Sequence, residues 1–177
     1  MSTARFDVVA VGNAIVDIQQ RTPEEFLSAH GIAKGAMTLI DEDRALYLTG
    51  VFTDAALAAG GSAANTVTGV ASFGGTAGYI GKVADDGLGE RFTREFRAVG
   101  VAYDTPARSG APGTARCVIA ITPDGQRSMN TYLGCSTLLD ESDLDAALIQ
   151  AGRLTFLEGY LFDREEAKRA FVQAAEI

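Results

Sequence analysis

Between Gly60 and Gly100 the chain reads as two helix-length segments around one apolar run, with a glycine or an acidic turn at each junction. No other feature constrains the fold as much. Gly60-Gly61 precedes a small-residue stretch, Ser62 to Phe73, which Gly74-Gly75 ends. The apolar run Thr76 to Val83 leads to Asp85-Asp86-Gly87. Leu88, Phe92, Phe96 and Val99 then recur at helical spacing up to Gly100. Apolar spacing of this kind marks a half-buried helix, and glycine is the usual residue just past its end. Helices alternating with apolar strands predict right-handed β-α-β units on a mostly parallel, Rossmann-like sheet flanked by helices: an α/β fold.

The flanking segments extend that pattern and break it once. Phe6 to Val11 is apolar and rich in β-branched residues, as a strand covered on both faces should be, and ends at Gly12-Asn13. Ala14 to Gln20 continues extended but turns polar. Thr22-Pro23-Glu24-Glu25 predicts a helix start, with Thr22 as N-cap, Pro23 at the first position and Glu25 closing a capping box; Gly31 stops it. A strand over Ala36 to Ile40 and a short helix capped by Asp41 follow. Thr114–Thr122 and Arg127–Leu133 are extended runs joined by Pro123-Asp124-Gly125-Gln126, a hairpin that interrupts the alternation. This hairpin is expected in a separate small sheet, a lid of about four strands with 14–20 and 36–40. The predicted division is therefore an α/β core over 1–13, 41–104 and 134–177, and a lid over 14–40 and 105–133. Within the core a helix is expected over Ser142–Ala151, a strand over Arg153–Leu157, and a helix from Asp163, with Asp163 and Glu166 at capping-box spacing. That last helix carries no stop signal up to Ile177, so the chain reads as cut within it.

Composition narrows the function. With 177 residues, 47% of them hydrophobic, the chain can bury a core without staples. A net charge of −8 with no Lys/Arg cluster argues against a nucleic-acid surface, and no long apolar stretch marks a membrane span. Two distant cysteines, Cys117 and Cys135, read as reduced thiols of a cytoplasmic protein. One histidine, His30, at a predicted helix end, leaves no metal site and no Ser-His-Asp triad to assemble.

Two motifs carry chemistry. In Gly60-Gly61-Ser62-Ala63-Ala64-Asn65, two glycines let a ligand approach the backbone and the first helical amides point outward; Asn65 adds a donor and an acceptor. An ordinary tight loop capped by Ser62 would look the same. Gly12-Asn13 with Asp17 puts polar groups at the carboxyl end of the first strand, where open α/β sheets place ligands. A carboxylate there suits two adjacent hydroxyls; a turn Asn and a solvated Asp is the plainer reading.

Taken in order, Val9 to Asp17, Gly60 to Asn65, Tyr79 to Gly89, Gly125 to Gly134 and Leu157 to Leu161 resemble the N-terminal portion of ribokinase-like (PfkB) carbohydrate and nucleoside kinases, most closely the bacterial adenosine-kinase branch. The resemblance implies a ribokinase-like fold, truncated, and ATP-dependent phosphorylation of adenosine or a related sugar at a hydroxyl. Asp17 is similar to the family's ribose-binding aspartate, and Asn13 to the asparagine beside it. Gly61 and Asn65 match sugar contacts. Glu158 matches a glutamate at the sheet edge near the sugar or metal network, and Arg127 an arginine near the transferring phosphate. Lys82 lies in a family motif and equally suits a structural role. The family's Gly-Ala-Gly-Asp segment, with its catalytic aspartate, does not occur here, so ATP and Mg²⁺ would be bound largely by residues outside this sequence. The implied protein is a monomer, or a homodimer through the lid. A different sugar acceptor and a non-catalytic nucleoside- or sugar-binding module remain alternatives. A Rossmann dehydrogenase does not, because Gly12-Asn13-Ala14 stands where Gly-x-Gly-x-x-Gly is needed.

Overall fold

The protein is described by a computed structural model covering residues 4–177. Strand β1 (Val8–Val11) is followed by β2 (Ile15–Arg21), helix α1 (Glu24–Ala29), β3 (Met37–Leu39) and helix α2 (Glu42–Val51). Next come β4 (Ala56–Gly60), α3 (Ser62–Ser72), β5 (Ala77–Ile80), α4 (Gly87–Ala98) and β6 (Val101–Ala102). The hairpin strands are β7 (Ala115–Ile121) and β8 (Arg127–Tyr132). Helix α5 (Ala146–Gln150), β9 (Thr155–Leu157) and α6 (Glu165–Glu176) complete the order, with three short 3₁₀ turns between β8 and α6.

Four strands form a parallel sheet in the order β6-β5-β1-β9. Its central strands are buried on both faces, as their unbroken apolar runs require. One face packs on α3 and α4 through Ala10, Ala77, Tyr79, Phe92 and Phe96. The other packs on α5 and α6 through Val9, Val11, Ile80, Ile149 and Phe171. Tyr79, Phe92, Phe96 and Tyr103 make an aromatic cluster, with Phe92 and Phe96 stacked at 4.5 Å and Tyr79 edge-on to Phe96 at 5.0 Å. Such offset and edge-on pairs add to the energy of burial.

The hairpin does lie in a separate sheet, but that sheet has five strands, ordered β3-β8-β7-β2-β4. Its extra member is β4, antiparallel to β2 from Ile15↔Gly60 to Gln19↔Ala56. The sequence Ala-Leu-Ala-Ala-Gly has little strand propensity, so nothing local marked it, and residues 56–60 were expected with 41–104 in the core. The free edge of β4 is occupied by α4 side chains: Glu95 accepts from the Ala59 N–H at 2.8 Å, and Arg91 donates to the Leu57 carbonyl at 3.0 Å. That covers an edge that would otherwise invite pairing.

Other local expectations shift for tertiary reasons. Thr22 does not cap α1; Pro23 occupies that position without a side-chain cap bond. The Thr22 amide instead prolongs the β2–β7 ladder by donating to the Ile121 carbonyl, which turns its hydroxyl into the protein. The Asp163–Glu166 box is likewise absent; Arg164 stands at the N-cap of α6. The helix expected over 142–151 divides into a 3₁₀ turn with its own capping box, Asp140 with Asp143, and α5 capped by Asp145. Asp86, read from the sequence only as part of a turn, caps α4, and it also accepts the Thr114 amide and hydroxyl at the root of the hairpin. Val99, expected on the buried face of that helix, is half exposed at its end.

Candidate acceptor-binding site

The pleat decides what the second sheet presents. Cross-strand partners share a face, and the register aligns Ala58, Asp17, Cys117, Thr131 and Leu39 in one row over all five strands. The opposite face, with Val16, Ile18, Val118 and Ala120, packs against Leu27, Leu48 and Phe52 of the α1–α2 side. The row with Asp17 is the open side, where Met37 and Leu39 are exposed.

Asp17 is half-buried in that row and makes no side-chain hydrogen bond or ion pair among the described residues. Gly60 lies so close that a Cβ there would stand 2.7 Å from the carboxylate carbon. Burial pushes the Asp17 pKa up, and the positive charge of Arg127 only partly offsets this. Arg127 itself is exposed at the start of β8, on the same face, without an ion pair among the described residues. Beside Asp17, the Cys117 thiol accepts from the Thr131 hydroxyl at 3.2 Å, and burial pushes its pKa to about 11, so it stays protonated. An open hollow of about 390 Å³ adjoins the row, lined by Leu39, Ile40, Pro112, Thr131, Leu133 and Thr137 among others.

The turns behind Asp17 are closed. Gly61 has φ +105°, and a Cβ there would come within 2.2 Å of the Asn13 carbonyl oxygen, so only glycine fits. Asn13 is 3% exposed. Its backbone N–H and side-chain Nδ2 donate to Glu158 Oε2 at 2.6 and 3.0 Å, while the Ser136 hydroxyl donates to its Oδ1 at 2.8 Å. The other Glu158 oxygen accepts from the Ala63 N–H at 3.1 Å and from the Ser62 hydroxyl. Asn65, one turn into α3, is exposed and its side chain is free of hydrogen bonds among the described residues.

The structure therefore separates the residues predicted for the site. Asp17, Asn65 and Arg127 present unspent polar groups, whereas Asn13, Gly61 and Glu158 belong to the wall behind them. Reading the α3 start as an outward cradle was wrong for Ala63, because the protein's own Glu158 fills the anion position at that helix end. Lys82 is structural: its ammonium lies 2.6 Å from Asp143 Oδ2 and donates to the Leu138 carbonyl at 2.9 Å. Cys117, Thr131, Ser62 and Ser136 were missed. Ser62 was visible as a helix-start residue, but nothing local singles out Ser136. For ATP and Mg²⁺ the described residues are a poor fit: at the α3 start the Ala63 amide and the Ser62 hydroxyl are already taken by Glu158, and no cluster of three or more acidic, cysteine or histidine ligands occurs among them.

Residues 24–177 match the family described as pfkB family carbohydrate kinase. The chain belongs to that family. It is similar to the crystal structure of adenosine kinase from Sinorhizobium meliloti, with 50% identity and a TM-score of 0.89, over 98% of this chain and 53% of that one. A probable sugar kinase from Rhizobium etli CFN 42 is 48% identical with the same TM-score, over 98% and 52%. A probable chloroplastic fructokinase-6 of Arabidopsis thaliana is 31% identical over 67% of this chain and 32% of its own length. The pfkB-family chain thus spans about half the length of the two solved proteins and has their ribokinase-like fold.

Proposed function

We propose that this chain supplies the acceptor-binding portion of an ATP-dependent kinase whose acceptor is adenosine, phosphorylated on its 5′-hydroxyl. The observation that carries this reading is Asp17: a half-buried carboxylate with no partner among the described residues, in one row with Thr131 and Leu39, next to an apolar hollow. A carboxylate there can accept both ribose hydroxyls, and Asn65 offers an amide from the facing helix start. The hollow suits a flat apolar-faced base, which a hexose lacks. The 50% identity to the Sinorhizobium adenosine kinase supports the same acceptor. Fructose is the second reading, favoured by the plant fructokinase relative.

Phosphoryl transfer is mainly positioning and charge stabilisation, so the work of this portion is to orient the acceptor and exclude water. ATP, when bound, supplies the phosphoryl group. Arg127 is the cation whose charge acts on Asp17, on the same face, and would meet the transferring phosphate. The second sheet would cover the acceptor from one side.

Calorimetric titration of the chain with adenosine and with fructose tests this. Adenosine should bind, and Asp17→Ala should weaken it at least about tenfold, the loss expected from charge-assisted bonds. Fructose binding without adenosine binding would assign the acceptor to the sugar. Binding of neither would overturn the reading.

A further inference from the structure

The hydrogen bonds behind the site converge on one side chain that lines neither the open face nor the hollow. Glu158 follows β9 directly, and its N–H donates to the Val11 carbonyl, so it lies beside the end of β1. The residue is 3% exposed, and its carboxylate accepts four hydrogen bonds, two on each oxygen. One oxygen takes both Asn13 donors, at the turn where the chain leaves the parallel sheet for β2. The other takes Ser62 and Ala63, where the chain returns from β4 into α3. β2 and β4 pair at this same end, Ile15 with Gly60. Asp17 lies four residues beyond one anchored point and Asn65 two beyond the other.

We propose that Glu158 is a positioning residue: by clamping the β1–β2 turn to the start of α3, it sets the spacing between Asp17 and Asn65, and so tunes acceptor binding without contacting the acceptor. This rests on the acceptor reading above for its ligand, but not for its geometry. Four donors converge on two oxygens that only a carboxylate supplies. In Glu158→Gln an amide NH₂ must face one pair of donors, so one half of the clamp opens whichever way the amide turns. The space is already tight, since a Cβ at Gly12 would lie 3.0 Å from Glu158 Oε2.

The test uses the whole chain and three readouts. In E158Q, hydrogen exchange at the Asn13 or Ala63 amide should quicken at least about tenfold while the β5 amides keep their protection. The Asp17 carboxyl, followed by carbon NMR, should titrate closer to the ordinary aspartate range as the Gly60 wall loosens. The adenosine Kd should rise about tenfold, the scale of one lost charge-assisted bond. Unchanged exchange at both amides would overturn the clamp. Faster exchange with an unmoved Asp17 titration and an adenosine Kd within about twofold would overturn the positioning role and leave Glu158 a purely structural group. If the parent chain binds no adenosine, the acceptor reading fails, and exchange with the Asp17 titration still decides the positioning. Should E158Q not fold, Ser62→Ala removes one donor and keeps the carboxylate; Ala63 must then exchange faster, and an unchanged rate refutes the proposal.

Discussion

The two sheets differ in their strands, near-continuous apolar runs in one and mixed polar and apolar runs in the other, and they are finished differently. In the parallel sheet β1 and β5 are buried on both faces, and every side chain they carry is used for packing. In the five-stranded sheet one face is packed on α1 and α2, while the other carries Asp17, Cys117, Thr131 and Arg127 with exposed Met37 and Leu39. The first sheet is all support. The second is half support and half surface. A site needs both: a desolvated carboxylate such as Asp17 costs stability where it sits and is held there by the packing around it.

Substitutions can break that contrast. The largest effect is expected in the aromatic cluster under the parallel sheet. Phe96→Ala removes a fully buried ring stacked on Phe92 and should cost about 3–5 kcal/mol, the usual range for such cavities, in chemical denaturation. If the second sheet melted separately at its original midpoint, the sheets would not share one cooperative unit.

Next comes the joint between the sheets. Asp86→Ala loses the α4 cap and both Thr114 bonds, and should cost about 1–2 kcal/mol, near the upper range for a cap. Burial raises the Asp86 pKa, but the hydrogen bonds from Thr114 and Gly89 outweigh it and hold the carboxyl below its usual range. A depressed folded pKa means stability that is present above the unfolded value and lost as pH falls through the folded one. The penalty of Asp86→Ala should therefore shrink in acid; a penalty constant from neutral to strongly acidic pH would refute the assignment.

The smallest effect has the opposite sign. The Asp17 pKa is raised by burial, so its protonated form fits the fold better than its carboxylate. Its favourable contribution is present below the unfolded value and is lost as pH rises through the folded pKa. At neutral pH Asp17→Asn should thus leave the melting temperature unchanged or slightly higher, while acceptor binding falls. A clear drop in melting temperature would mean that Asp17 has a structural partner, and the contrast between open and packed faces would fail.

The sequence alone determined the parallel β-α-β alternation, the hairpin's separation from it and the family, because those signals act within a few residues: apolar period, glycine punctuation and turns. The resemblance it carries put Asp17 and Asn65 forward for the acceptor, with Asn13, Gly61 and Glu158, and Arg127 for the transferring phosphate. Only the tertiary structure decided that Ala56–Gly60 is a strand, since those small residues gain their partners from β2 and from α4 side chains, not from their own propensity. Only it decided that Thr22 caps nothing, because its amide is drawn into the ladder with β7. And only it turned Asn13 and Glu158 inward. These residues lie 145 positions apart and meet because β1 and β9 are neighbours in the sheet, an adjacency that no local pattern encodes.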